Sequence, residues 1–157
     1  MLIRIEDIQF LLDRAAVQET VMRVGTAIDL KDWDMLRGCF LDAIMTDYSD
    51  LRGDPPSIIA ADNYVAQRKD ALIPLKTQHL SSNHLITIDG DNAQCSSEMV
   101  IYRRKITDTG MLEFNTHCYY EHKLQRTDTG WKINSIKQIV FWNEGDATIH
   151  SGAKQVK

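Results

Sequence analysis

The chain has 157 residues, 43% of them hydrophobic and 25% charged, with a formal net charge of -4. That is enough for one domain with a real core, and ordinary for a globular protein. Charges of both signs are spread along the chain without a Lys/Arg run, which argues against a nucleic-acid or anionic-membrane partner. No apolar stretch approaches the ~20 residues of a membrane-spanning helix. The acidic start, Met1-Leu-Ile-Arg-Ile-Glu-Asp, lacks the basic and apolar regions of a signal peptide. Cys39, Cys95 and Cys118 are odd in number and widely spaced, so they read as reduced thiols of a cytoplasmic protein.

In chain order, residues from about Asp7 to Leu30 carry helical periodicity, with Ile8, Leu11, Leu12, Ala15 and Ala16, then Val17, Val21, Val24 and Ile28. Asp13 offers an N-cap for a second helix after a short first one. Asp32 reads as the N-cap of the next helix, with Asp34 in its first turn. Ile44 to Tyr48 reads as a short strand. Ser57 to about Arg68 reads as a further helix with Ile58, Ile59, Tyr64 and Val65 on its apolar face.

After Pro74 the pattern turns extended. Leu85-Ile86-Thr87-Ile88 leads into the turn Asp89-Gly90-Asp91. Ala93 to Arg104 is β-rich. Phe114 to Leu124 alternates, with Phe114, Thr116, Cys118, Tyr120, His122 and Leu124 on one side. Trp131 to Trp142 closes the set. Helices first and strands afterwards predict an α+β fold: a curved antiparallel or mixed β-sheet wrapped around N-terminal helices. Such a cone encloses an apolar pocket, a natural small-molecule site. Val100, Ile101, Tyr102, His117, Tyr119 and Ile139 are expected on the outer sheet face, where an apolar surface implies a homo-oligomer.

Two residue types stand out for chemistry. Asp29, between Ile28 and Leu30 at the end of the long helix, faces the negative end of the helix dipole, which would make it more basic than a free Asp. Most lone acids at helix ends are structural. His79, in Thr77-Gln78-His79, precedes the first long strand, and His84 lies five positions on. In regular β geometry the two fall on opposite faces, so at most one lines a pocket. Metal-ligand spacings, dinucleotide-binding glycines, a phosphate loop and a nucleophile elbow are all absent. What remains is acid–base chemistry by Asp, His and Tyr, with no metal and no cofactor.

Ile28-Asp29-Leu30-Lys31-Asp32-Trp33-Asp34-Met35-Leu36-Arg37 followed by Thr46-Asp47-Tyr48 resembles the first-helix region of scytalone dehydratase and its SnoaL-like relatives. Thr77-Gln78-His79, Asn83 and Ile88-Asp89-Gly90-Asp91-Asn92-Ala93 resemble the next stretch. Tyr120, Leu124, the turn Asp128-Thr129-Gly130-Trp131-Lys132-Ile133 and Trp142 resemble the last strands. The resemblance runs from about residue 10 to 143. It implies a nuclear-transport-factor-two-like (cystatin-like) cone, one domain over 1–157 with its core at about 7–143 and a tail at 144–157.

The resemblance also implies roles. Asp29 holds His79, which abstracts a proton, and Tyr48 polarises the substrate through water. Arg103, Tyr120, Asn83 and Trp142 are implied around the substrate. The tyrosine that precedes the Asp in the dehydratase is Ile28 here. The dehydratase's second histidine falls near Tyr102 and Arg103, and its pocket asparagine near Tyr120, which argues against scytalone itself. A related hexachlorocyclohexane dehydrochlorinase shares the Asp–His pair, and base-assisted elimination is common to both. The expectation is a cofactor-free lyase or isomerase acting on a small hydrophobic, cyclic molecule. The alternative is a non-catalytic binding or assembly module, such as a ring-hydroxylating dioxygenase small subunit.

Overall fold

The computed structural model describes residues 4–150. Helix α1 runs over Ile5–Leu30, followed by α2 (Trp33–Gly38), strand β1 (Phe40–Asp47), α3 (Ser49–Arg52), β2 (Ser57–Ala60) and α4 (Ala61–Leu72). Four long strands follow: β3 (Lys76–Asp89), β4 (Asn92–Thr107), β5 (Gly110–Thr127) and β6 (Gly130–Gly145), with a 3₁₀ turn at Ala147–Ile149. The strands form one six-stranded sheet in the order β2-β1-β6-β5-β4-β3. β3 to β6 are an antiparallel meander, and β1 pairs with β6 in parallel, so the sheet is mixed. None of the described helices is long and apolar enough to cross a membrane.

The core lies between α1 and the concave face of the sheet. Val17, Val21, Gly25 and Ile28 recur at helical spacing and are buried. Phe114, Thr116, Cys118, Tyr120, His122 and Leu124 are all buried, as the alternation of β5 predicts. Burying one side chain such as Phe114 contributes about 2–3 kcal/mol. Asp32 caps α2 by accepting from the Met35 N–H at 2.9 Å.

Several expectations are corrected. No helix starts at Asp13: α1 is continuous, and Asp13 points at the sheet, where Arg126 and Trp131 bind it. Ile8, Leu11 and Leu12 are exposed, because the first turns of α1 are not covered by the sheet. Ser57–Ala60 is a strand along β1, and the helix begins only at Ala61. The β-branched pair Ile58-Ile59 suits that edge strand. Ile101 faces inward and is buried, so it is not part of the outer face. Residues 144–150 belong to the fold, with Ala147, Ile149 and His150 buried. Residues 151–157 of the expected tail lie outside the described residues.

β3 also begins earlier than its apolar run suggests, at Lys76, and it is not regular. Its pairing with β4 shifts by one residue between Ser82 and Leu85, and Asn83 there adopts φ 53. The covered positions are Thr77, His79 and Ser81 before the bulge, and His84, Ile86 and Ile88 after it, Ile86 fully buried and the others half-buried. One extra residue therefore puts both histidines on the inner face. β6 shifts in the same way against β5, so that Trp131 and Ile133 and then Ile136 and Gln138 point inward. Such bulges bend strands, and the bent sheet curls around α1.

Candidate active site

Asp29 ends the buried stripe of α1, and His79 faces it from the first half of β3. Asp29 Oδ1 lies 2.6 Å from His79 Nδ1, and Oδ2 accepts the His79 main-chain N–H at 2.7 Å. One carboxylate thus fixes both the backbone and the ring of the same residue. An ionised carboxylate only accepts, so Nδ1 donates to it, and whenever the ring is neutral its lone pair is on Nε2. The close approach requires Gly25. A Cβ there would lie 2.8 Å from the His79 Cβ, inside contact distance.

Burial alone would raise the Asp29 carboxyl. The hydrogen bonds and charge of His79, aided by Thr77, outweigh it and hold the group below its usual range. The expectation of an unusually basic Asp29 is therefore corrected: it is a stable anion, suited to orienting a base. Lys31, left-handed at φ 59 where α1 stops, donates to Thr77 Oγ1 at 3.2 Å beside it.

His79 lines a cavity between α1, α3, α4 and the concave face of the sheet. Val21, Ile28, Leu72, Met99, Ile101 and Ile136 form its apolar part. The rest is more polar than expected: Tyr48, Tyr64, Tyr120, Arg68, Arg103, His122 and Gln138 line it as well. Tyr48 and Tyr64 hydroxyls lie 2.8 Å apart, and Gln138 Nε2 donates to Tyr120 Oη at 2.8 Å. Burial pushes Tyr48 and Tyr120 well above the ordinary tyrosine range, so both keep their protons and remain donors.

Of the residues singled out in the sequence, Asp29, His79, Tyr48, Arg103 and Tyr120 converge here, Asp29 by gripping His79 from behind. Asn83 and Trp142 do not line the cavity. Asn83 is the exposed bulge residue of β3, and Trp142 is half exposed, stacked on His117 at 4.3 Å between ring centres. The resemblance placed them by position in the chain, but the strand face decides where a side chain points.

Sequence reasoning missed Arg68, Tyr64, His122 and Gln138. The alternation of β5 already carried the signal for His122, which shares the inner face with Tyr120. Its ring stacks on Tyr120 at 5.4 Å, and its Nδ1 is buried without a partner among the described residues. Burial, with a smaller contribution from His84, pushes its pKa down to about 4, so it is neutral. Cys39, Cys95 and Cys118 are buried free thiols, each pushed by burial up to about 11. Among the described residues no group of three or more His, Cys, Asp and Glu side chains is placed to hold a metal ion.

A family model for the SnoaL-like domain matches residues 9–137. The chain belongs to the SnoaL-like family. It is similar to scytalone dehydratase arp1 of Aspergillus fumigatus, with 26% identity over 141 residues that cover 84% of each chain. In structure, this SnoaL-like domain is similar to the Kfla4162 protein from Kribbella flavida, with a TM-score of 0.82 and 24% identity over 88% of this chain and 96% of that one. It is also similar to a hexachlorocyclohexane dehydrochlorinase from Novosphingobium barchaimii, with a TM-score of 0.74 and 16% identity over 92% and 97%. The fold is the nuclear-transport-factor-two-like cone that the sequence resemblance implies.

Proposed function

We propose that the cavity is the active site of a lyase or isomerase that removes a proton from carbon and needs no cofactor. The observation that carries this is the Asp29 carboxylate holding His79 by ring and backbone, with the opposite ring nitrogen open. His79 Nε2 takes the proton, and Asp29 stabilises the imidazolium that forms. In an elimination, the C–H electron pair becomes a C=C bond and the β leaving group departs with its bonding pair. Charge that develops on a substrate oxygen needs a donor, and protonated Tyr48 and Arg103 offer one. The half-apolar lining suits a small cyclic molecule, larger in carbon than in polar groups. The names of the similar dehydratase and dehydrochlorinase favour elimination over isomerisation. A module that only binds or assembles has no use for a carboxylate-held imidazole facing a cavity.

The test is a screen of cyclic hydroxyketones, hydroxyacyl compounds and chlorinated rings with wild type and His79→Ala, with chelator present. Turnover that needs His79 and ignores chelator is expected. Turnover that survives His79→Ala would sink the mechanism.

A further inference from the structure

Two guanidinium groups share the cavity with His79, and neither has a counter-charge among the described residues. Arg68, from α4, is 7% exposed and Arg103, from β4, 3%. Arg103 donates to Thr116 Oγ1 at 2.9 Å and lies 5.5 Å over the Phe114 ring. Arg68 lies 5.5 Å over the Tyr48 ring and 5.3 Å over that of Tyr64, and its Nε is buried without a hydrogen-bond partner. Behind them Arg52 stacks 5.5 Å over Tyr48, with Nε and Nη2 also unpartnered. Among the described residues no Asp or Glu forms an ion pair with any of the three, and the residues outside that range hold no acidic side chain.

Buried cations are normally paired, and even two half-buried arginines of this chain have carboxylate partners. Arg126 grips Asp13 and Asp91, and Arg37 grips Asp42 and Asp62. The tyrosine rings attract the guanidiniums without neutralising them. Burial, reinforced by Arg68 and Arg52, pushes Arg103 down to about 10, so it remains charged at neutral pH. Arg68 and Arg103 in the cavity wall and the half-buried Arg52 behind them repel one another, an arrangement that a bound counter-charge would relieve. His79 pairs with Ile101 across β3 and β4, and Arg103 lies two residues along β4 on the same inner face. Base and cation thus sit on diagonal neighbours of one sheet face.

We propose that the substrate is an organic anion, a small, largely carbon molecule whose carboxylate is held between Arg68 and Arg103 while its C–H faces His79. This rests on the cavity being the active site, and it names the substrate class. Arginine's planar fork matches a carboxylate, and the apolar lining matches a carbon skeleton rather than a bare inorganic ion.

The experiment is calorimetric titration at constant ionic strength with benzoate and cyclohexanecarboxylate, their uncharged amides, and inorganic phosphate. The acids should bind wild type at least about tenfold more tightly than the amides and than phosphate, the range expected for charge-assisted hydrogen bonds. Arg68→Gln and Arg103→Gln should each weaken the acids about tenfold or more and leave the amides unchanged. Arg103→Lys retains the charge and covers the case in which Arg103→Gln fails to fold: it should keep part of the preference for acid over amide. Amides binding as well as acids, acids indifferent to Arg68→Gln, phosphate as the only ligand, or no response to any probe overturns the proposal. Binding is read without turnover, so the two readings fail separately. Loss of the acid preference while His79→Ala still abolishes turnover of a neutral substrate sinks only this inference. Acid preference intact while turnover survives His79→Ala sinks only the active-site reading.

Discussion

Helix α1 presents two aspartates to the sheet, one near its start and one at its end, and they are held in different ways. Asp13 receives both terminal nitrogens of Arg126, at 2.6 and 2.8 Å, and the Trp131 indole N–H at 3.1 Å. Those bonds hold its carboxyl far below the usual range. Asp29 receives a ring and a backbone N–H from one residue, His79. The Asp13 clamp ends in a permanent charge and is complete in itself. The Asp29 clamp ends in a titratable ring with one nitrogen left open to a cavity. The same residue type on the same helix therefore fastens the fold at one end and orients a base at the other.

The sharpest way to break this contrast is at the cavity end. His79→Ala should lower turnover by about two to four orders of magnitude while thermal unfolding stays near wild type. Asp29→Asn keeps an acceptor for the His79 main chain but removes the charge. Its kcat should fall about a hundredfold, again without unfolding the protein, in a comparison of kcat with Tm.

Acid should act on the fold through His122. Its folded value of about 4 lies below the ordinary 6.5, so the unfolded chain takes up the proton first. Stability is complete above pH 6.5, declines as pH falls and stops changing near pH 4, a loss of about 3 kcal/mol. His84, which burial also lowers, adds to the same window. Asp29 and Asp13 lie below the carboxylate range and weaken the fold only at lower pH. Denaturant titrations at stepped pH should show the decline, and His122→Gln should flatten most of it.

The opposite end of α1 should behave in reverse. Asp13→Ala strands the Trp131 N–H and leaves the Arg126 guanidinium, which is one-third exposed, with Asp91 alone. The expected loss is about 2 kcal/mol, between buried and surface pairs, with kcat per folded molecule near wild type. The smallest effect is expected at Gly25. Gly25→Ala favours helix by less than about 1 kcal/mol, but the new Cβ must push His79 off its seat. A fall of about tenfold in kcat with a modestly lowered Tm is expected, since a Cβ close to the strand backbone yields only at a cost.

The sequence made the meander and the α+β order legible because β5 alternates without interruption from Phe114 to Leu124. It did not reveal where alternation changes phase, since Asn83 in αL looks like any polar loop residue. The Asp29–His79 pair is fifty positions apart, and only family resemblance joins it in one dimension. Arg68 was unreadable for another reason. An arginine near the end of an amphipathic helix normally reaches solvent, and only the closed cone turns it inward. Asn83 and Trp142 failed by the same rule, since being near the site along the chain does not fix the face.

The bulge in β3 changes what the strand tolerates. Outward positions are 76, 78, 80 and 82 before Asn83 and 85, 87 and 89 after it. A substitution pattern learned in the first half is inverted in the second. Removing the single residue Asn83 would leave composition almost untouched. It would restore plain alternation and keep His84, Ile86 and Ile88 inward, whereas straightening the bulge with Asn83 retained would turn them to solvent and bring Leu85 and Thr87 against the helix. A homologue with a one-residue gap here can therefore keep its second histidine on the inner face, while one of equal length whose strand pairs without the bulge turns it outward.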